Sequence, residues 1–212
     1  MAGASSVSIW NDLKESADKA VQAEDFATAL ADWEAALKES DNFADGDGRQ
    51  VTTLEGLART HFLRGEPGEA QFLYKRALVI REEQQGKEHS DVGSLQANLG
   101  IVEFSQGNYK ESKSHLEKAL AIKKKSVGSD HLQVGQVTYF LALACHALES
   151  YDEADGHYRK SLDIKNKTLG NNHPDLINLL RNYADLLRKT SRDSIAGQME
   201  TFASGIEAKQ KK

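Results

Sequence analysis

The sequence predicts an all-α solenoid of about five antiparallel helix pairs, and two observations support this fold class. One is a repeat of 42 residues, visible where Gly86, Gly128 and Gly170 recur. The other is the proline content, because two prolines in 212 residues leave long helices uninterrupted, and a proline inside a helix costs about 3 kcal/mol. We expect a single domain over residues 1–212, with units at about 9–40, 49–88, 90–130, 132–172 and 174–212.

The first unit is a variant of the repeat, as terminal units often are because one of their faces meets water. Its two helical patterns have apolar residues spaced by three or four positions. They consist of Trp10, Leu13, Ala17 and Ala20, and of Phe26, Ala29, Trp33, Ala36 and Leu37. A polar linker at 41–48 then shifts the repeat by one residue. We expect this unit to cap the N-terminal end of the array.

The middle units each contain two amphipathic helical patterns separated by a short break. One such helical face, in the unit at 90–130, comprises Val92, Leu95, Leu99 and Val102. The recurring glycine fits a helix C-terminus, where a residue in the left-handed conformation is favoured. Ser90 or Asp130 is expected to accept hydrogen bonds from the free amides at the start of the next helix.

Small residues also recur every 42 positions, which predicts close approach of the paired helices. The columns are Ala58, Gly100, Ala142 and Ala184; Ala70, Ser112, Ala154 and Ala196; and Ala77, Ala119, Ser161 and Ala203. The larger Tyr74, Leu116 and Tyr158 are expected to fill the space between neighbouring units. No unit can bury its apolar face alone, so stacking of the units must supply the core.

The last unit departs from the repeat at two positions on its second helix. Asp193 stands where other units have an aromatic residue, and Glu200 stands where they have a large apolar residue. Pro174 falls in the first helical turn, where proline is tolerated. The two acidic substitutions predict a polar outer cap at the C-terminal end.

Composition argues against several classes of protein. The net charge of −5 is uneven, because residues 1–48 carry eleven acidic and three basic residues, so we expect no nucleic-acid binding. The single cysteine, Cys145, cannot form an intrachain disulfide, which favours a reducing compartment. The N-terminus lacks the pattern of a signal peptide, and no run of about 18 apolar residues occurs. We therefore expect a soluble, cytoplasmic protein that does not contact a membrane.

Three stretches of the sequence resemble the tetratricopeptide repeat family, in the long-period form found in kinesin light chains and many bacterial proteins. They are Gly-Asn-Tyr-Lys-Glu-Ser at 107–112, Leu-Tyr-Lys-Arg-Ala-Leu-Val-Ile at 73–80, and Leu-Gly-Asn-Asn-His-Pro-Asp at 169–175. The resemblance covers nearly the whole chain and implies a right-handed α-solenoid whose concave groove binds peptides.

The resemblance has limits that bear on function. The chain lacks the heptad segment that precedes the repeats of kinesin light chains, so a motor-subunit role is not expected. In those proteins a helix opening similar to Leu-Asn-Asn-Leu-Ala presents asparagines to cargo. Asn98 and Asn182 match one such asparagine, whereas Gly56 and Phe140 stand at the equivalent places.

Four columns on the first helix of each unit change their chemistry from unit to unit, unlike the small-residue columns. They are Phe62, Phe104, His146 and Arg188; Glu55, Ala97, Tyr139 and Arg181; Arg59, Ile101, Leu143 and Asp185; and Thr52, Ser94, Gln136 and Asn178. A helix face that packing does not use is free to vary, so we place a ligand groove there. The predicted peptide-binding residues are Arg59, Phe62, Asn98, Phe104, Tyr139, His146, Asn178, Arg181, Asn182 and Arg188.

Aromatic and arginine side chains are frequent binding hot spots, and this groove is predicted to have an aromatic half and an arginine-bearing half. Arg181 and Arg188 could hold a carboxylate by bidentate hydrogen bonds. The alternative is that these side chains contact only solvent or each other. Asp185 would then pair with Arg181 or Arg188, which lie four and three positions away on the same helix.

The histidines do not form a pattern typical of a metal site. The repeated His89, His131 and His173 would lie roughly 10 Å apart at helix-packing distances, too far to share a zinc ion with ligands at about 2 Å. We expect them to make local turn contacts. His115 and His157 recur on second helices and are expected at the surface. The sequence therefore predicts no metal.

Catalytic chemistry is not indicated either. Cys145 and His146 are adjacent on a helix and point about 100° apart, so they are not expected to act as a nucleophile and its base. Cys145 is expected to be a buried structural thiol. No glycine-rich phosphate loop occurs. We expect no catalytic residue and no cofactor, and hence no enzyme activity.

The leading functional prediction is a non-catalytic adaptor or scaffold that binds a protein or peptide in its groove. Two alternatives remain open. The chain could be a structural repeat protein that self-associates into a homo-oligomer through its ends, where the acidic first unit would meet the less acidic remainder. It could also be a ligand-sensing regulator whose superhelix changes pitch on binding.

Overall fold

The computed structural model describes residues 3–44 and 46–210, and these residues form ten α-helices and no strand. The helices in chain order are α1 (Gly3–Gln22), α2 (Phe26–Ser40), α3 (Gly48–Leu63), α4 (Pro67–Gln85), α5 (Ser90–Ser105), α6 (Tyr109–Val127), α7 (Leu132–Ala147), α8 (Tyr151–Leu169), α9 (Leu176–Lys189) and α10 (Asp193–Gln210). Asp45 of the predicted linker and the last two residues of the final predicted unit lie outside the described residues. The predicted all-α class is confirmed.

The chain divides into two compact units, Met1–Gln106 with α1 to α5 and Gly107–Lys212 with α6 to α10. Within each unit, consecutive helices are joined by short turns, which makes neighbouring helices antiparallel. Each predicted repeat contains two consecutive helices. The assignment of the whole chain to one domain stays a prediction.

The core of the first unit is built around two tryptophans. Trp10 on α1 donates its indole N–H to Thr53 Oγ1 on α3 at 2.9 Å, in a buried position. Trp33 on α2 lies against the backbone of α3, where a Cβ added to Gly56 would come within 2.4 Å of the indole ring. Glycine is therefore required at position 56 for α2 and α3 to pack at this distance.

The second unit buries a run of small residues between its helices. Ala142, Ala154, Ser161 and Ala184 are fully buried, and Ser161 Oγ donates to the Gly135 carbonyl at 2.8 Å. The larger Tyr158 is also fully buried, and its ring stacks on that of Tyr183 at a centroid distance of 5.3 Å. The predicted packing role of these columns is confirmed in this unit.

A buried carboxylate connects three segments of the second unit. Asp155 on α8 accepts hydrogen bonds from the Tyr183 hydroxyl on α9 and from Arg192 Nη1 just before α10, both at 2.8 Å. Arg159, one turn along α8, also pairs with it. A buried charge is stable only when it is paired and hydrogen-bonded, and these three donors satisfy that condition. The sequence analysis did not identify this network.

The turns between repeats use glycine and histidine together. Gly86, Gly128 and Gly170 follow α4, α6 and α8 with φ between +82° and +89°, as predicted for a residue in the left-handed region. The histidine Nδ1 then accepts the backbone N–H two residues later at 3.2 Å in each turn. His89 and His131 thereby cap α5 and α7, whereas the contact of His173 lies within the turn before α9. The predicted local role of His89, His131 and His173 is confirmed.

This capping corrects the expectation for Ser90 and Asp130. His89 and His131 stand directly before α5 and α7. Their side chains accept hydrogen bonds from the free backbone amides of Asp91 and Gln133. Asp130 instead accepts from Lys160 Nζ at 2.9 Å. Histidine is not among the usual N-cap residues, which is why the sequence favoured serine and aspartate.

Other side chains depart from the sequence prediction in their exposure. His115 and His157 are half-buried and not at the surface. The outer cap is polar only in part, because α10 exposes Ile195 and Phe202 to solvent. Cys145 is fully buried, as expected. None of the helices in the described ranges has the length and apolar character that a membrane span needs.

Candidate functional site

Three of the predicted peptide-binding residues line one cleft in the first unit. Arg59 and Phe62 lie one turn apart on α3, and Asn98 lies on α5. The cleft has a volume of about 240 Å³, and its other lining residues are Leu63, Tyr74, Ile101 and Val102. Its walls are mostly apolar, with the exposed Arg59 guanidinium beside them. This first-unit cleft can receive an apolar side chain that has an acidic neighbour.

Tyr74 on α4 contributes a buried phenol to the first-unit cleft. Burial raises the pKa of Tyr74 to about 12; the Glu55 carboxylate also raises it, and Arg59 opposes the shift. Tyr74 is therefore neutral at physiological pH and can serve as a hydrogen-bond donor. Phe104, near the end of α5, is half-buried and does not line this cleft.

Two predicted residues meet directly in the second unit. Asn182 on α9 donates from Nδ2 to the Tyr139 hydroxyl on α7 at 2.6 Å. Lys165 on α8 places its ammonium 5.2 Å from the centre of the Tyr139 ring, as a cation–π contact. We refer to Tyr139, Lys165, Arg181 and Asn182 as the second-unit site.

Lys165 is the unexpected member of this site. The residue is only 6% exposed, and burial lowers the pKa of its amine, with Asp175 opposing the shift. Within the described residues, no carboxylate lies at ion-pair distance from its Nζ. A largely buried lysine whose ammonium has no carboxylate partner is unfavourable, so a carboxylate supplied by a partner would be stabilised there.

The sequence contained a signal for Lys165 that the analysis missed. Arg81, Lys123 and Lys165 recur at the 42-residue spacing, and all three are buried. Buried cations are rare unless they are paired. A column of cations among apolar helix positions is therefore a sign of a polar function.

The two arginines predicted to hold a carboxylate already contact glutamates of α10. Arg181 Nη2 lies 2.6 Å from Glu207 Oε2, and Arg188 makes two contacts of 2.5 Å with the two carboxylate oxygens of Glu200. The hydrogen bond from Arg188 lowers the pKa of Glu200. Both pairs are nearly half exposed. Exposed ion pairs contribute little to the stability of the fold, so a ligand carboxylate can replace the glutamate.

The alternative pairing of Asp185 with Arg181 or Arg188 is wrong. Asp185 Oδ2 lies 3.6 Å from Lys189 Nζ and 3.5 Å from His146 Nε2. The helix geometry allows the predicted pairs, but the glutamates of α10 give both arginines partners from a neighbouring helix. Sequence spacing on α9 alone could not reveal this competition.

His146 and Asn178 occupy contrasting positions. His146 is buried against Tyr158, whose hydroxyl lies 3.3 Å from Nδ1. Burial lowers the pKa of His146, with Lys189 lowering it further and Asp185 opposing the shift, so the ring is neutral at pH 7. Asn178 is exposed at the start of α9, one turn before Arg181 and Asn182.

Comparison with known proteins identifies the repeat. The model of a family described as tetratricopeptide repeat matches residues 91–167 and 137–198, which together span slightly more than half of the chain. No curated protein matches the chain.

Several solved structures share the fold. BtubC (BKLC) from P. vanneervenii has a TM-score of 0.80 at 20% identity, covering 92% of this chain and 78% of that chain. The nearly identical TPR-like repeats of a protein designated a kinesin light chain in Podosopora anserina have a TM-score of 0.77 at 21% identity, covering 94% of this chain and 95% of that chain. MamA from Desulfovibrio magneticus RS-1 has a TM-score of 0.69 at 14% identity, covering 96% of this chain and 98% of that chain. At these identities the likeness shows the helical repeat fold alone.

Proposed function

The chain belongs to the tetratricopeptide repeat family, and from this premise we propose that it is a non-catalytic adaptor or scaffold that binds a protein or peptide partner. Proteins with this fold are generally protein-interaction scaffolds. Stacked helical repeats suit this role because they present extended surfaces on a rigid framework. Function still depends on particular sites, so the proposal needs residues that fit a partner.

The ammonium of Lys165 is the observation that supports the proposal most strongly. It lies against the ring of Tyr139, whose hydroxyl accepts a hydrogen bond from Asn182, and it has no carboxylate at ion-pair distance among the described residues. These groups match an acidic side chain or a C-terminal carboxylate of a partner segment. Such a carboxylate would pair with Lys165 and could recruit Arg181 from its exposed contact with Glu207.

The first-unit cleft adds a second requirement for the partner. Phe62, Ile101 and Val102 form an apolar wall, and Arg59 supplies a positive charge at its edge. An apolar residue buried here would exclude water, and a neighbouring acid would pair with Arg59. We therefore propose a partner segment that carries both apolar and acidic residues.

Three further proposals accompany this function. We propose that the protein is not an enzyme, in keeping with the scaffold role of the family. We propose a cytoplasmic location, which is supported only by the single cysteine and the reducing compartment that it favours. Phe104, His146, Asn178 and Arg188 remain proposed groove residues together with those of the two sites.

Capture of a partner from a lysate of the source organism tests the proposal. The bait proteins are the wild type, a variant with Arg59→Ala and Phe62→Ala, and a variant with Lys165→Met and Arg181→Ala. We expect one partner to be retained by the wild type and lost by both variants, with unchanged helicity by circular dichroism.

Matched control variants test whether loss of the partner is specific to these two sites. Lys124→Met removes an exposed cation of α6, and Phe72→Ala removes an exposed aromatic ring of α4. Both controls should retain the partner. If the site variants retain the same proteins as the wild type, or if Phe72→Ala alone loses them, the proposed sites are wrong.

Self-association is a second candidate, and α10 supplies the observation that favours it. Phe202 is exposed there beside Gly197, Thr201 and Gly205, which leave an open cleft along the helix. A helix from a second copy could pack on this face. Sedimentation velocity should then show mass increasing with concentration, and Phe202→Ser should abolish the increase. A single monomeric species at all concentrations would exclude this candidate.

A further inference from the structure

A thiol, a carboxylate and an imidazole converge at one end of the second unit, outside the proposed peptide-binding sites. Cys145 lies near the end of α7, and Glu153 and His157 lie one turn apart on α8. The turn at 148–150 folds α8 back on α7 and brings the three side chains together. Their Sγ, carboxylate oxygen and ring nitrogen all lie within 4.8 Å of one another.

One of these separations is already close to that found around a shared metal ion. Glu153 Oε1 lies 3.8 Å from His157 Nε2. In a tetrahedral zinc site with ligands at about 2.0–2.3 Å, neighbouring ligand atoms are about 3.4 Å apart. A small change of side-chain torsion closes the difference. Three protein ligands would leave a fourth position for water or for a ligand from a partner.

The ligand types narrow the class of metal. One sulfur, one imidazole nitrogen and one carboxylate oxygen suit Zn²⁺ and chemically similar ions such as Co²⁺. Mg²⁺ and Ca²⁺ prefer oxygen ligands and would not be held by a thiolate. Spacing along the sequence does not indicate this set, because Cys145 lies on α7 and the other two residues lie on α8.

The protonation states of the group are compatible with metal binding. Burial lowers the pKa of His157, with Glu153 opposing the shift, which favours the uncharged ring that a metal requires. Burial raises the pKa of the Cys145 thiol to about 12, Glu153 raises it as well, and Lys113 opposes the shift. The thiol keeps its proton until a cation replaces it.

A lysine already serves as the cation of this cluster. Lys113 Nζ on α6 lies 2.7 Å from Glu153 Oε2 and 3.9 Å from Glu117 Oε1. The ammonium partly neutralises Glu153, and it would repel an incoming dication. It can turn toward Glu117 when Glu153 changes partner. Lysine and metal should therefore compete for the same carboxylate.

We propose that Cys145, Glu153 and His157 form a binding site for Zn²⁺ or a similar divalent transition metal, with Lys113 as a competing internal cation. Binding joins the metal to Sγ, Nε2 and a carboxylate oxygen, and the thiol proton passes to solvent. No redox step is involved. The site would join the end of α7 to α8 and is independent of the proposed peptide-binding residues.

Titration of the metal-free, full-length protein with Co²⁺ tests the site, because Co²⁺ bound to thiolate absorbs light in the near ultraviolet. Cys145 is the only cysteine, so this absorption can come from no other residue. We expect one equivalent of Co²⁺ to bind and Zn²⁺ to displace it. His157→Ala and Glu153→Gln should each weaken binding at least about tenfold, and Cys145→Ser should abolish the absorption.

Lys113→Met distinguishes a metal site from a simple structural network. It removes the competing ammonium and should tighten Co²⁺ binding about tenfold, whereas His89→Ala in the first unit should leave the affinity unchanged. The proposal is overturned if no thiolate absorption develops with millimolar Co²⁺ in either the wild type or Lys113→Met. It is equally overturned if the folded Cys145→Ser variant binds Co²⁺ as tightly as the wild type.

Discussion

Gly56 shows how one residue sets the distance between two helices. The indole of Trp33 occupies the space where any other residue would place its Cβ. This position is one of those where kinesin light chains are expected to present an asparagine, and here an asparagine would collide with the tryptophan. At this repeat the chain therefore uses the position for packing.

Gly56→Ala should destabilise the first unit by about 1–3 kcal/mol, because the added methyl group overpacks a rigid ring. Thermal unfolding followed by circular dichroism measures this loss. Gly68→Ala in α4 is the matched control, since its Cβ would meet no atom within 4 Å. That variant should be neutral or slightly more stable. Equal stability of the two variants would show that Trp33 does not constrain Gly56.

Asp155→Asn should cost about 1–3 kcal/mol, because it removes the charge from the buried acceptor of the Tyr183 and Arg192 hydrogen bonds, while the more exposed arginines can turn to solvent. Urea unfolding of the variant measures the cost. Asp152→Asn, on the exposed side of α8, should change the free energy of unfolding by less than about 0.5 kcal/mol. A small effect at Asp155 would mean that its three donors do not depend on its charge.

Lys165→Met should have opposite effects on stability and on binding. Removing a buried, unpaired charge should raise the free energy of unfolding by about 1 kcal/mol, because methionine fills similar space without a charge. The same change should weaken capture of an acidic partner. Unfolding and binding are measured on the same preparation. A variant that loses stability would show that the ammonium has a stabilising role in the free protein.

At the scale of the helices, the turns between repeats were largely predictable. Glycine at 86, 128 and 170 indicated the helix ends correctly, because a left-handed residue favours glycine. The histidine caps were predicted only as local turn contacts, because a ring nitrogen acting as a cap is not a usual sequence signal. The partners of Arg181 and Arg188 were missed because they come from another helix, which spacing within α9 does not report.

Gly128→Ala isolates the conformational cost of such a turn. An added Cβ meets no atom within 4 Å, but the residue has φ of +89°. Its ψ is 158°, a combination that is essentially restricted to glycine, so the variant should lose about 1–3 kcal/mol of unfolding free energy from backbone strain alone. Chemical denaturation measures this loss. No change in the denaturation midpoint would indicate that the turn relaxes to another conformation.

Glu149→Gly is the converse prediction at the turn between α7 and α8. Glu149 adopts φ of +59°, which is unfavourable for a residue with a side chain. Glycine should relieve this strain, although it loses more conformational entropy on folding. The net rise in the free energy of unfolding should be about 0.5–1 kcal/mol. A lower melting temperature would contradict this account of the turn.

For the whole molecule, the 42-residue repeat was sufficient to predict the helical repeat fold, and the stretches at 73–80, 107–112 and 169–175 indicated the family by resemblance. The repeat shows which positions pack, since the small-residue columns are buried in both units. It does not show which side chains meet a partner. Arg59, Phe62 and Asn98 do line one cleft, but Lys165 was missed because an unpaired buried cation becomes evident only when its neighbours are known.

The central claim is that the chain binds a segment bearing acidic and apolar residues through its two proposed sites. Selection of a random peptide library on the immobilised wild type, with parallel selection on Lys165→Met and on Lys124→Met, tests it most directly. We predict that the wild type and Lys124→Met enrich peptides containing Asp or Glu near an aromatic or aliphatic residue, and that Lys165→Met does not. Enrichment of the same peptides by all three proteins, or of none by the wild type, would contradict the claim.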